Sequence, residues 1–329
     1  MTIRKIVIGV LLVIIGVPLL LILIVLGSVA LVNKTNGSMV SSGEKREYLL
    51  YVPKSYDRTK PTPLVISMHA AMNWPAYQMK VTQWNSAADK NRFIVVYPAG
   101  TDPLHLGPKA WFMEGSRSPS KMPDVRFISE LIDTLEAHYN IDSTRIYANG
   151  LSNGGGIAFA LSCTLSNRIA AIGAVSAAQS LSSSWCTDST PVPMIAFHGT
   201  ADPFVAYKGA PPGWLNPNAP FPDVEAWVAD WARRNRCEPN PTDSMVTAHV
   251  SRREYTNCAD DAAVVLYTVK GGGHQWFGGK PIPQWIVGPT THEIDATALM
   301  WAFFKEHPLR KTQTPQKPAP IRRVGYSIP

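Results

Sequence analysis

Gly150-Leu151-Ser152-Asn153-Gly154 sets a serine between two glycines in the pattern G-x-S-x-G. A serine hydroxyl attacks a carbonyl only when a base takes its proton and a carboxylate holds that base. A sharp turn that exposes the hydroxyl brings neighbouring backbone close, which gives Gly150 and Gly154 a reason to lack side chains. Ser152 is therefore read as the nucleophile. The base is sought in a loop able to swing an imidazole over it. His274, in Gly271-Gly272-Gly273-His274-Gln275-Trp276, has three glycines before it. His249 lies in a polar connecting segment, and His292 and His307 flank a terminal helix. Asp202 follows the apolar run 193–198 and a turn at Gly199, and it is read as the acid. Asp223 and Asp230 are rivals with ordinary helix-surface spacing. Two backbone N–H groups must face the developing oxyanion. Asn153 supplies one and Ala70 the other, with Ala71 as the fallback and His69 a structural residue beneath. This chemistry needs no metal and no organic cofactor.

Strands and helices must bring these residues together. Residues 63–69 and 93–97 are nearly continuous apolar runs, as expected of strands covered on both faces of a sheet. Residues 45–53 alternate imperfectly and are also read as a strand. Shorter strands are expected at 145–149, 170–176, 193–198, 252–255 and 264–269. Helices are expected at 76–92, 124–139, 154–165, 223–234 and 293–304. In the second of these, Val125, Ile128, Ile132 and Leu135 repeat at three- and four-residue steps, with Asp124 as the N-cap. Buried strands alternating with helices predict a mostly parallel sheet with helices on both faces. In such sheets chemistry collects beyond the carboxyl ends of the strands. The chain order nucleophile, acid, base is that of the α/β-hydrolase fold.

The 329 residues suffice for one large domain with short appendages or for two small domains, and no fixed-period repeat is present. The net charge of +7 comes mainly from the two termini. No zinc-finger spacing and no basic run interleaved with aromatics is present, so a nucleic-acid groove is not expected. Residues 6–32 are apolar, beyond the about 20 that cross a bilayer. They are read as a transmembrane signal anchor, with residues 1–5 cytoplasmic because Arg4 and Lys5 precede the span. Ser28-Val29-Ala30 keeps cleavage and secretion open. Residues 33–44 are expected to be a stalk, 45–308 the catalytic domain, and 309–329 a basic Pro-rich tail without order. The domain would then be extracellular or periplasmic. Cys163, Cys186, Cys237 and Cys258 all follow the apolar segment. An even count in an oxidising compartment points to two disulfides, for which three connectivities are open.

The motifs Arg145-Ile146-Tyr147-Ala148-Asn149-Gly150-Leu151-Ser152-Asn153-Gly154-Gly155, Ala196-Phe197-His198-Gly199-Thr200-Ala201-Asp202-Pro203 and the loop around His274 resemble those of the polyhydroxybutyrate depolymerase/feruloyl esterase family. That family is an α/β-hydrolase group close to carbohydrate esterase family 1. The likeness runs from about Arg46 to Pro308. It implies secreted ester hydrolysis with Ser152, Asp202 and His274 as the triad, and the pairings Cys163–Cys186 and Cys237–Cys258. Two positions depart from the pattern. Ala70 replaces a glycine in the oxyanion loop, and Phe277 replaces a frequent proline, which would reshape the substrate mouth. Trp276, Phe277, Trp111 and Trp214 are expected to line that mouth, with 207–222 as a cover. The expected substrates are feruloyl, aryl or short hydroxyacyl esters, polymeric or carbohydrate-linked. An acyltransferase of the mycolyltransferase type and a non-catalytic tethered binding protein are the competing readings.

Overall fold

A computed structural model describes residues 34–102, 109–112, 122–177, 186, 189–213 and 220–310. The anchor expected at 6–32, Trp214 and most of the tail lie outside the described residues. Among the described residues no helix is long and apolar enough to cross a membrane.

The chain runs β1 (Gly37–Ser41), β2 (Glu44–Tyr51), β3 (Thr62–Met68), α1 (Pro75–Thr82), α2 (Trp84–Asn91), β4 (Ile94–Pro98), α3 (Pro123–His138) and β5 (Ile141–Leu151). It continues as α4 (Asn153–Thr164), β6 (Ala171–Val175), β7 (Met194–Gly199), α5 (Val224–Arg234), β8 (Thr242–Met245), β9 (Val250–Tyr255), β10 (Val264–Val269), α6 (Gln284–Val287) and α7 (Ala296–Glu306). The strands form one sheet of ten in the order β1-β2-β4-β3-β5-β6-β7-β10-β9-β8. From β4 to β10 all neighbours are parallel, and the pairs at each edge are antiparallel. This is the α/β-hydrolase fold.

The apolar runs form the parallel centre because helices cover both of their faces. Every residue of β3, β4, β6 and β7 is buried. One face packs α3, α4 and α5 through Ile128, Leu131, Phe159, Trp227 and Trp231. The other packs α1, α2 and α7 through aromatic side chains, among them Trp84, Phe93, Tyr147, Trp301 and Phe304. Tyr147 stacks on Phe304 at 4.7 Å, and Phe93 on Trp301 at 4.1 Å. Such contacts add about 0.5–1.5 kcal/mol each beyond the buried area. The disulfides join Cys163 to Cys186 and Cys237 to Cys258.

Four expectations are corrected. Residues 37–41, read as stalk, pair with β2, with Gly37 opposite Tyr48. The folded unit therefore begins before residue 45. Leu309 and Arg310, assigned to the tail, are engaged: the Leu309 N–H donates to the Thr144 carbonyl, and Arg310 pairs with Asp261. The helix expected at 76–92 is two helices, because Gln83 is left-handed at φ 57° and breaks the ladder. Asp124 is not an N-cap. It is fully buried at the second position of α3, 2.6 Å from the Arg46 guanidinium on β2.

Candidate active site

The sheet delivers three side chains to its carboxyl edge. Ser152 follows β5 directly and starts α4. Its φ of 54° and ψ of −124° are sparsely populated for any residue but glycine, a strained turn kept by its surroundings. A Cβ on Gly150 would lie 2.2 Å from the Gly154 carbonyl carbon, and one on Gly154 would lie 2.3 Å from the Met68 oxygen. Both positions therefore need glycine for close approach. The turn is locked to the sheet where the Ser152 N–H donates to the Val175 carbonyl at 2.8 Å. Although Ser152 occupies the N-cap position, its hydroxyl makes no capping bond.

Asp202 and His274 come from the turns after β7 and β10, neighbouring parallel strands. His274 Nδ1 lies 2.8 Å from Asp202 Oδ2. The carboxylate can only accept, so Nδ1 carries the proton and Nε2 is left to act as a base. Asp202 Oδ1 accepts from the N–H groups of Phe204 and Val205, both at 2.9 Å. Burial alone would raise the Asp202 carboxyl, but the hydrogen bond and charge of His274, with His198, outweigh it and hold it below the usual range. The two turns are joined backbone to backbone. Ala201 N–H donates to the Gly272 carbonyl at 2.8 Å, and a Cβ on Gly199 would sit 2.1 Å from that oxygen. The edge of the Phe204 ring meets the His274 ring at 5.3 Å.

The first oxyanion candidate, Asn153, opens α4. Its side chain clasps the Trp111 backbone: Oδ1 accepts from the Trp111 N–H at 2.6 Å, and Nδ2 donates to the Trp111 carbonyl at 3.0 Å. The Trp111 indole N–H donates to the His69 carbonyl at 2.9 Å, and Phe112 N–H donates to Asp124 at 2.8 Å. His69 Nε2 accepts from the Gly100 N–H at 3.0 Å, so Nδ1 carries the proton that bonds the Ala70 carbonyl at 2.7 Å. Burial pushes the His69 imidazole down to about 4, keeping it neutral. Ala70 is half-buried, Ala71 is exposed, and neither has a positive φ. The glycine-to-alanine departure therefore adds no backbone strain.

The expected mouth is different. Trp276 is 1% exposed, and its indole N–H donates to Thr297 on α7. Phe277 is fully buried in the same aromatic layer. Both side chains therefore pack into the core and support the loop from within. Trp111, at 3% exposure, packs against the His69 ring and shapes the oxyanion loop instead of facing substrate. Asp223 caps α5 by accepting from Glu225 and Ala226 N–H groups, and Asp230 pairs with Arg233.

Three side chains contribute in ways the sequence reading missed. Gln275 is fully buried and clamps the segment that follows the base. His198, at the end of β7, donates from Nε2 to the Val205 carbonyl at 2.8 Å and faces Asp202 Oδ2 at 3.5 Å. Burial lowers its affinity for a proton more than Asp202 raises it, so it is a neutral donor beside the acid. Its position four residues before Asp202 is the one hint the sequence held. Asn153 was read only for its backbone, although a polar side chain at that position is a usable cue.

Fold and site together define an α/β-hydrolase with a serine elbow. A phospholipase/carboxylesterase family model matches residues 55–210. The bifunctional acetylxylan esterase/xylanase of Neocallimastix patriciarum is 31% identical over 166 residues, half of this chain. Feruloyl esterase B of Piromyces equi is 27% identical over 250 residues, 71% of this chain. The chain spans 23% and 44% of the length of these two relatives. The structure of an acetyl xylan esterase from Aspergillus awamori shares the fold, with TM-score 0.54 and 15% identity over 73% of this chain and 92% of that one. The chain has the α/β-hydrolase fold and is similar in sequence to these acetylxylan and feruloyl esterases.

Proposed function

We propose that the chain is a serine esterase that hydrolyses carboxylic esters through an acyl-enzyme. The observation that carries this reading is the 2.8 Å contact between His274 and Asp202 at the sheet edge where Ser152 sits on its strained turn. His274 Nε2 takes the Ser152 proton as Oγ attacks the ester carbonyl. The Nδ1 proton stays on His274, and Asp202 stabilises the imidazolium. The N–H groups of Asn153 and Ala70, or Ala71 in its place, hold the oxyanion. The alcohol leaves with the proton from His274, and water then releases the acid by the same steps.

The substrate class that fits is an acyl group linked to carbohydrate, in keeping with relatives named as feruloyl and acetylxylan esterases. An extracellular site of action accords with the two disulfides. Membrane attachment through 6–32 rests on that apolar stretch of sequence alone, and carbonate extraction of membranes tests it.

A fluorophosphonate probe should label the full chain at Ser152, and Ser152→Ala should lose both labelling and turnover. Removal of such a nucleophile costs on the order of a million-fold in kcat. Activity within tenfold of the parent would overturn the assignment.

A further inference from the structure

Trp285 is 86% exposed and Ile286 45%, on the four-residue helix α6. Pro281, Pro283 and Pro289 beside them are also exposed. Large apolar side chains presented together to water mark a binding surface more often than a lone exposed residue does. What distinguishes this surface is its attachment. The buried Gln275 amide, next in chain to His274, donates to the carbonyls of Ile282 at 2.9 Å and Gly288 at 3.0 Å, and its oxygen accepts from Ile282 N–H at 3.0 Å. His274 N–H donates to the Val287 carbonyl at 2.6 Å, and Gly273 N–H to the Pro289 carbonyl at 2.7 Å. The near end of the segment is thus fixed by the Gln275 side chain and the far end by that amide and the His274 and Gly273 backbone, and its tip holds an indole at a set place beside the catalytic edge.

The chemistry of the segment narrows the occupant. From 281 to 289 it reads Pro-Ile-Pro-Gln-Trp-Ile-Val-Gly-Pro, without a charged side chain. Nothing in it would attract a phosphate or an anionic headgroup. An indole open to water on one side can cover only one face of a ligand. A wholly apolar acyl chain would leave its other face wet and calls for an enclosed slot. A neutral sugar ring matches better: one face carries C–H groups that lie against the indole, and its rim of hydroxyls stays hydrated or reaches the exposed Gln284 amide.

We propose that Trp285 is a stacking platform for a neutral sugar unit of the substrate's alcohol side, holding a polysaccharide chain while its ester enters the site. The platform rests on the esterase reading for its purpose but binds sugar whether or not the ester is cleaved. Its test is therefore separable from that reading. Affinity electrophoresis of the full chain in mild detergent, through gels containing soluble arabinoxylan, should retard the parent protein. Trp285→Ala should run as in a carbohydrate-free gel, and Trp285→Phe should fall between. In parallel, Trp285→Ala should leave kcat/KM for p-nitrophenyl acetate within twofold while raising KM for a feruloylated xylo-oligosaccharide by about five- to tenfold, with kcat little changed. The proposal is overturned if the parent is not retarded, or if Trp285→Ala weakens both substrates equally. It also falls if the substitution abolishes binding to phosphatidylcholine vesicles and not to arabinoxylan. A parent inert on every ester but retarded by arabinoxylan would sink the esterase reading and leave the platform standing.

Discussion

The two banks of the candidate catalytic edge are held by a different balance of means. On the acid–base bank the turns after β7 and β10 touch through backbone, with Gly199 against the Gly272 carbonyl and Ala201 bonded to it. On the oxyanion bank the loops are held by buried polar side chains: Asn153 clasps Trp111, His69 bonds Ala70 and Gly100, and Asp124 reaches both Arg46 and Phe112. The first arrangement fails when atoms are added, because there is no room for a Cβ. The second fails when a polar atom is removed or gains a charge, because each partner would be left buried and unpaired. Rigidity at one edge therefore rests chiefly on exclusion at the first bank and chiefly on satisfaction at the second, where Gly154 against the Met68 carbonyl is the close contact.

The contrast is sharpest at Asp202. Asp202→Asn keeps the shape of the acid–base bank and removes only the charge that orients His274. A loss of about 10⁴ in kcat is expected, with thermal stability moved far less. A mild effect here alongside a severe one for Asp223→Asn would mean that the wrong carboxylate has been assigned. Gly199→Ala keeps every functional group and adds one carbon. Forcing the two turns apart should displace His274 and lower kcat by roughly 10²-fold, while KM for a small ester changes little. Full activity in this variant would break the distinction between the banks.

The oxyanion bank should respond to pH instead. His69 binds its proton only at about 4 in the folded protein, against about 6.5 when unfolded. Between those values the unfolded chain holds the extra proton, so stability rises with pH across the window. The contribution is complete above about 6.5 and lost as pH falls toward about 4, at about 1.4 kcal/mol per pH unit. Denaturant melts across this range should show that slope, and His69→Gln should flatten it. A slope unchanged in the variant would remove His69 from the account. Asp202 acts lower on the scale: its depressed carboxyl stabilises the fold above the ordinary carboxylate range and loses that contribution as pH falls through its folded value.

The smallest effect belongs away from both banks. Cys237→Ser with Cys258→Ser opens a loop of sequence separation 21, and loops of this size contribute about 3 kcal/mol. The double variant should melt lower with kcat unaltered. A loss of turnover at temperatures where it remains folded would tie this bond to the edge.

The parallel centre was legible because β3, β4 and β7 are apolar on both faces, a pattern local to each strand. The candidate nucleophile, acid and base stood out because each sits in a short glycine-marked turn after such a strand. Side-chain direction was not. Trp276 follows His274 by two positions, yet whether it faces substrate or core depends on Thr297 across the fold. The break at Gln83 and the strand at Gly37–Ser41 depend on backbone conformation and on partners far along the chain. Trp285 was passed over because Pro-Ile-Pro-Gln-Trp-Ile-Val reads as any apolar segment until its exposure is known.

The clamp made by Gln275 also bears on how freely this molecule can change. One buried amide bridges both ends of the segment 282–288, and the His274 N–H ties its far end to the base, while the exposed tip at 283–286 makes none of these anchoring bonds. Insertions or replacements between Pro283 and Ile286 would alter what the enzyme greets without moving what it does. Selection for a new substrate therefore has a short stretch on which to act at little catalytic cost, whereas the glutamine that frames it has almost no freedom to drift.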